Sequence, residues 1–289
     1  MTQVSANNSK GPLIPVWGRV VLLLISYFLL SGLFQVFGAL AAGIPFDRGV
    51  SMTNLTTEQL LIIQLFSFAA LMIIVYIFRK SIDRKSIQSM GFSIKNRFSD
   101  IGAGFLFALF IIGGGTLILS LFGFIDIVDV QMNQRELLLG FVLLLLVAFG
   151  EEILVRGYIL NNLLTTTNKY WALLFSAAIF ALLHSLNFNL SFIGMINLLL
   201  AGIILGATYI YTQNLWFPIS LHLFWNFLQG PIFGYPVSGM QIKSITTIKL
   251  SGSELLNGGS FGFEGSVLCT LMTIIGIIAI ISYYYRKKE

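Results

Sequence analysis

Apolar residues in this chain form long runs that short polar segments separate. About 20 consecutive apolar residues are needed for a helix to cross the hydrocarbon core of a bilayer, and runs near that length recur along the chain. The sequence therefore predicts an all-α fold, a polytopic membrane bundle in which residues 1–289 form a single integral membrane domain. The pattern predicts about eight transmembrane helices, at residues 17–43, 60–78, 101–124, 137–164, 170–187, 192–211, 216–233 and 266–285.

Composition supports a membrane protein. Hydrophobic residues make up 56% of the chain and charged residues only 10%, whereas a soluble domain carries about 25% charged residues. The single cysteine, Cys269, excludes an internal disulfide and a cysteine-rich metal site. We expect a multi-pass protein of the cell membrane whose surroundings are lipid, with no nucleic-acid partner.

Basic residues are distributed unevenly and predict the topology. Loop 79–100 carries six of them against Asp83 and Asp100, which marks it as cytoplasmic. With eight spans, twelve of the 17 basic residues fall on the same side as this loop, and both termini are predicted to be cytoplasmic. Loops 125–136 and 234–265 are predicted to lie outside.

The fourth predicted span contains three charged residues, Glu151, Glu152 and Arg156. Each costs roughly 2.5–3.5 kcal/mol at the centre of a membrane helix unless it is paired or faces a wet cavity. At about 100° per residue, Glu152 and Arg156 lie about 40° apart and can form an ion pair. Glu151 lies about 140° from Arg156, so it has no partner in its own helix and is the candidate for chemistry.

Both histidines of the chain also fall in predicted spans. Phe180 and His184 are four residues apart, as are His222 and Asn226, so each pair shares one helical face. A lone histidine in a membrane helix is most often a hydrogen-bond partner between helices. Two of them, together with two carboxylates and an asparagine, indicate a shared polar interior.

These side chains suffice for amide hydrolysis without a covalent intermediate. Glu151 can deprotonate a water, and a neighbouring histidine can orient that water or deliver a proton to the leaving group. His222 and Asn226 can donate to a developing oxyanion. Ser185 and Ser220 each adjoin a histidine, but adjacent residues of a helix point in different directions, so a serine nucleophile is less favoured. The chain has no His-Glu-x-x-His motif, so a zinc site is also less favoured. We expect neither a metal nor a cofactor.

Three motifs in order resemble the CAAX-prenyl-protease and bacteriocin-processing family, also called the Abi family, of intramembrane glutamic endopeptidases. The family patterns are Glu-Glu-x-x-x-Arg, Phe-x-x-x-His and His-x-x-x-Asn on successive membrane helices. Here they read Glu151-Glu152-Ile-Leu-Val-Arg156, Phe180-Ala-Leu-Leu-His184 and His222-Leu-Phe-Trp-Asn226. The resemblance covers a family-like core at about 137–230.

The resemblance implies roles for these residues. Glu151 would activate water with His184, and His222 with Asn226 would form the oxyanion hole. The remaining positions, Glu152, Arg156 and Phe180, would support the site.

The resemblance leaves the reaction of this chain open. The leading hypothesis is a membrane-embedded peptidase that cleaves a peptide or membrane protein near the cytoplasmic face. One alternative is a relative that transfers lipid or acyl groups in lipoprotein modification. Another is a non-catalytic bacteriocin-immunity protein or a transporter, in which the polar cluster serves only packing or ion passage.

Overall fold

A computed structural model of the chain describes residues 14–44 and 55–287. Residues 1–13, residues 45–54 and the last two residues of the chain lie outside the described residues. Lys10 and Lys288, which contribute to the predicted cytoplasmic charge, also lie outside them.

Eight helices account for most of the described residues. Three of them contain π-helical turns, in which the backbone hydrogen bonds widen to i→i+5. These turns are at Phe78–Ile82, Leu109–Gly113 and Ile153–Leu160, and a fourth, Leu228–Ile232, continues the seventh helix. The helices are α1 Val16–Ala41, α2 Thr57–Ile82, α3 Phe98–Leu121, α4 Gln134–Leu163, α5 Lys169–Leu183, α6 Phe192–Thr212, α7 Trp216–Phe227 and α8 Val267–Arg286.

Six of these helices, α1, α2, α3, α4, α6 and α8, are long and apolar enough to cross a membrane. Helix α5 is apolar but shorter, at 15 residues. Helix α7 has 12 residues before its π-helical continuation. The polytopic helical class is thereby confirmed, while a total of eight membrane crossings stays a prediction.

Side-chain caps define where several helices begin. The Thr56 hydroxyl accepts a hydrogen bond from the Gln59 amide, and the Gln59 side chain accepts one from the Thr56 amide. The side chains of Asn133 and Asn168 cap α4 and α5 by accepting hydrogen bonds from amides of the first turn, without the reciprocal bond. Because the first amides of a helix have no partner within it, these caps set the starting points in the sequence.

Small residues let the central helices approach closely. A Cβ on Gly202 of α6 would lie 2.7 Å from the Ala177 Cα of α5, and one on Gly206 would lie 2.5 Å from a methyl group of Leu173. The Gly202-Ile-Ile-Leu-Gly206 sequence is therefore a packing face, as small residues four apart are in membrane helices.

A two-stranded antiparallel sheet connects the loops at one end of the bundle. Strand β1, Ile125–Val130, pairs with β2, Thr246–Leu250, with an irregularity in register between Ile127 and Asp129. The prediction of an all-α fold missed this sheet and treated both segments as loops. The strands are only six and five residues long and lie about 120 positions apart, so no local pattern indicates their pairing.

The opposite end of the bundle contains a buried ionic network around Asp83. Its carboxylate accepts hydrogen bonds from Arg19 at 2.5 Å, from Arg79 at 3.0 Å and from the Asn162 amide at 3.1 Å. Arg79 also donates to Asn161 at 2.9 Å. Arg19 and Arg79 belong to the basic residues predicted to lie on the cytoplasmic side, yet both side chains are buried because each is paired with Asp83.

Candidate active site

The carboxylate of Glu151 faces two histidines. Its Oε2 atom lies 3.5 Å from the Nε2 atom of His184 and 3.9 Å from the Nε2 atom of His222. Both distances exceed those of a well-formed hydrogen bond, and Oε2 has no hydrogen-bond partner within residues 14–44 and 55–287. The Glu151 side chain is 31% exposed, and the accessible part lines a cavity.

His184 lies just after the last residue of α5. Its Nδ1 atom is 2.8 Å from the carbonyl oxygen of Phe180. A carbonyl oxygen only accepts hydrogen bonds, so Nδ1 carries the proton and Nε2 is left to face Glu151. The Phe180 carbonyl is free for this contact because it belongs to the last turn of α5, where helix carbonyls have no amide partner.

His222 is oriented by the second carboxylate. Its Nδ1 atom lies 2.9 Å from Oε1 of Glu152, and its ring is almost fully buried. Since an ionised carboxylate accepts hydrogen bonds, Nδ1 is the donor and Nε2 points towards Glu151. The two histidines therefore present the same ring atom to one carboxylate oxygen.

Glu152 and Arg156 form the ion pair that their spacing predicts. Nη1 of Arg156 lies 2.8 Å from Oε1 of Glu152, and both side chains are fully buried. Nη2 of Arg156 donates to the Gly202 carbonyl of α6 at 3.0 Å. The guanidinium lies 4.7 Å from the centre of the Phe180 ring, within the range of a cation–π contact. One arginine thus ties α4 to α5 and α6.

Phe180 packs against both histidine rings as well. The centre of its ring is 4.5 Å from that of His184 and 6.1 Å from that of His222. Together with the contact to Arg156, this places Phe180 at the middle of the cluster. Its buried ring restricts the orientation of both imidazoles.

Asn226 lies one helical turn beyond His222 on α7, and both residues line the cavity. The Asn226 side chain is buried, and its amide makes no hydrogen bond with any residue in the described ranges. All four residues predicted to be catalytic are therefore brought to one cavity. Behind these four residues, the packed interior contains Glu152 and Arg156. Phe180 is also buried and forms part of the cavity wall.

The cavity has a volume of about 480 Å³. Most of its wall is apolar, with side chains from α1, α2, α4, α5, α6 and α7 and from the segment before α8. Polar side chains other than the cluster include Gln35, Gln64 and Ser67. An apolar cleft with a few converging polar groups is the usual form of a ligand site.

Sequence analysis missed Glu264, a buried carboxylate in the cavity wall. Its Oε1 atom accepts a hydrogen bond from the Trp225 indole at 2.9 Å. Its Oε2 atom accepts from the Ser238 amide and hydroxyl, both at 2.8 Å, and from the Gln229 amide at 3.2 Å. Glu264 thereby fastens the segment after α7 to the helix that carries His222. Its neighbours in the sequence are mostly Gly, Ser and Phe, so no local signal distinguished it from an acidic residue of a solvated loop.

The segment after α7 closes tightly over the end of α5. Gly239 has φ +86°, and a Cβ there would lie 1.9 Å from the Phe188 carbonyl oxygen. The Asn187 amide donates to the Ser238 carbonyl at 3.1 Å. Only glycine fits this approach, which brings Ser238 to the rim of the cavity.

Comparison with known families supports the motif assignment. Residues 133–228 match the family described as Rce1-like, type II CAAX prenyl endopeptidase, and this range overlaps the core that the sequence predicts at about 137–230. A comparison of the chain with curated proteins finds no significant match. Within the described ranges, no group of three or more His, Cys, Asp and Glu side chains is arranged to hold a metal ion. Residues 133–228, about a third of the chain, are therefore similar to the Rce1-like type II CAAX prenyl endopeptidase family, and this similarity implies an intramembrane protease.

Proposed function

We propose that the protein is a glutamic-type endopeptidase that hydrolyses a peptide bond inside the membrane with Glu151 as the base. The observation that carries the proposal is that the Nε2 atoms of His184 and His222 both face Oε2 of Glu151 inside one cavity. Gaps of 3.5 and 3.9 Å are longer than good hydrogen bonds but too short for a water to lie directly between the atoms. A water in the cavity would instead sit beside them, within reach of both the carboxylate and an imidazole.

In the proposed reaction, Glu151 removes a proton from this water while the oxygen attacks the carbonyl carbon of the peptide bond. Nε2 of His184 accepts a hydrogen bond from the other O–H group of the water, which keeps its hydrogen, and so orients the water. When the tetrahedral intermediate collapses, the carbon–nitrogen bond breaks and Glu151 passes its proton to the leaving amine. One water is consumed, and the products are a carboxylic acid and an amine.

His222 and Asn226 are the proposed donors to the oxyanion. Because Nδ1 of His222 is bound to Glu152, its Nε2 atom can donate only when the ring is protonated. With both carboxylates ionised, Glu151, Glu152 and Arg156 carry one net negative charge, so one imidazolium would make the buried cluster neutral. The Asn226 amide supplies the second donor, since it has no hydrogen-bond partner within the described residues.

The proposal is tested by analysing reaction products by mass spectrometry. The purified full-length protein is incubated in ¹⁸O-labelled water with a panel of hydrophobic peptides and lipopeptides. We expect cleavage products in which the new carboxyl group contains ¹⁸O, and no products from Glu151→Gln. A product that carries a transferred acyl chain, or cleavage by Glu151→Gln at the wild-type rate, would contradict the proposal.

A further inference from the structure

The two ends of the bundle differ in charge. The first, which we call the basic end, contains loop 79–100, the end of α4 and the connection between α6 and α7. Contacts hold these parts together: Arg79 bonds to Asn161 at 2.9 Å, and the Met90 carbonyl accepts from the Tyr209 hydroxyl at 2.8 Å. The basic residues of the described ranges at this end are Arg19, Arg79, Lys80, Arg84, Lys85, Lys95, Arg97, Lys169, Arg286 and Lys287.

The other end, which we call the sheet end, contains β1, β2 and the segment before α8. An ion pair of 2.6 Å between Arg135 and Glu58 joins the starts of α4 and α2 there. The basic residues described at this end are Arg135, Lys243 and Lys249. The acidic residues outnumber them and are Glu58, Asp126, Asp129, Glu136, Glu254 and Glu264.

The cavity extends from Glu151 towards the sheet end. On α4 its lining runs from Leu143 to Val155 and stops before the residues that join the Asp83 network. Its rim includes Leu186 and Met240, which are exposed in the loops of the sheet end. Among the described residues, none from loop 79–100 contributes to the lining.

Charge distribution and cavity direction together determine which side the substrate comes from. Lys and Arg in short loops are retained on the cytoplasmic side of a membrane, so the basic end lies in the cytoplasm. We infer that the cavity opens on the non-cytoplasmic side. Its substrate is then a polypeptide presented there, either an exported peptide or the outer part of a membrane protein. The substrate class rests on the proposed function, whereas the orientation does not.

This inference replaces part of the hypothesis drawn from the sequence. That hypothesis combined a cytoplasmic loop 79–100 with a peptidase acting near the cytoplasmic face. In the structure the two do not fit together, because loop 79–100 and the mouth of the cavity lie at opposite ends of the bundle.

Cysteine labelling in intact cells tests the orientation without requiring activity. Leu186 at the cavity rim is 94% exposed and Lys95 at the basic end is also exposed, so Leu186→Cys and Lys95→Cys form a matched pair. Both are made with Cys269→Ser, which removes the buried native thiol. A membrane-impermeant maleimide should label Leu186→Cys in intact cells and Lys95→Cys only after permeabilisation. Labelling of Lys95→Cys alone in intact cells would overturn the inference.

A second experiment tests the side of the reaction. A peptide that the protein cleaves in detergent is made membrane-impermeant and added outside sealed vesicles of known orientation. Cleavage should occur in right-side-out vesicles and not in inverted ones, and the reverse would overturn the inference. If no peptide is cleaved even in detergent, the proposed function fails, while the labelling result still decides the orientation.

Discussion

Replacing Glu152 with glutamine tests how the two adjacent carboxylates divide their roles. The change keeps the shape of the side chain and removes its charge. In the structure, Glu152 is fully buried and contacts Arg156 at 2.8 Å and His222 at 2.9 Å. After the substitution, the Arg156 guanidinium would remain buried with the Gly202 carbonyl and the Phe180 ring as its neighbours and without a directly bonded counter-ion.

The expected loss follows from this buried charge. Breaking a buried ion pair by removing one partner costs about 3–5 kcal/mol, most of it from the charge left behind. At about 2–4 °C per kcal/mol for a large domain, the midpoint of thermal unfolding should fall by roughly 6–20 °C. Removing the stranded charge as well, in the double variant Glu152→Gln/Arg156→Met, should recover much of this loss.

Thermal unfolding in detergent, followed by intrinsic fluorescence, measures these differences. Glu151→Gln is the matched control, because it is the same chemical change one position earlier, at a side chain that is partly exposed and not bonded to Arg156. It should abolish turnover and leave the unfolding midpoint nearly unchanged. Equal destabilisation by Glu151→Gln and Glu152→Gln, or a double variant no more stable than Glu152→Gln alone, would refute the reasoning.

Three further predictions concern other parts of the site and the fold. Asn226→Ala should lower turnover by about 10²–10³ with little change in KM, as loss of an oxyanion donor does; steady-state kinetics measures both, and an effect on KM alone would count against the role. Turnover should survive prolonged EDTA and phenanthroline treatment, and metal analysis should find no stoichiometric zinc; inactivation that added zinc reverses would instead indicate a metallopeptidase. Glu264→Gln weakens hydrogen bonds to a charged acceptor, which are worth about 1.5–3 kcal/mol, so tryptic cleavage at Lys243 should be at least about 10-fold faster. Ser238→Ala should have a smaller effect. Unchanged cleavage of both variants would argue against the role of Glu264 in holding the segment after α7 to that helix.

The sequence was sufficient to predict the helices and most of the candidate site. Backbone amides and carbonyls must be satisfied within the membrane, so long apolar runs become helices, and residues 17–43 correspond to α1 within two positions. The pairing of Glu152 with Arg156 is equally local, because both lie on one face of one helix. The catalytic roles themselves stay a prediction until activity is measured.

Features that depend on distant parts of the chain were not predictable. Asp83 binds Arg19, which is 64 positions away, and Glu264 binds Trp225, which is 39 positions away. Either acidic residue, considered alone, could equally lie in a solvated loop. The π-helical turns after Glu152 also leave no clear mark in the sequence, because they depend on how α4 packs against its neighbours.

The origin of the cavity wall bears on how such an enzyme can diverge. The four side chains proposed to be catalytic come from residues 133–228, as does much of the cavity wall, whereas Tyr27, Gln64 and Met240 in the wall come from outside this segment. The cavity wall is thus encoded partly within and partly outside the stretch that encodes the proposed reactive groups. Exchanging α1 and α2 between relatives should change which peptides are accepted and leave the proposed catalytic side chains unchanged. These two helices are therefore the natural starting point for engineering new specificity.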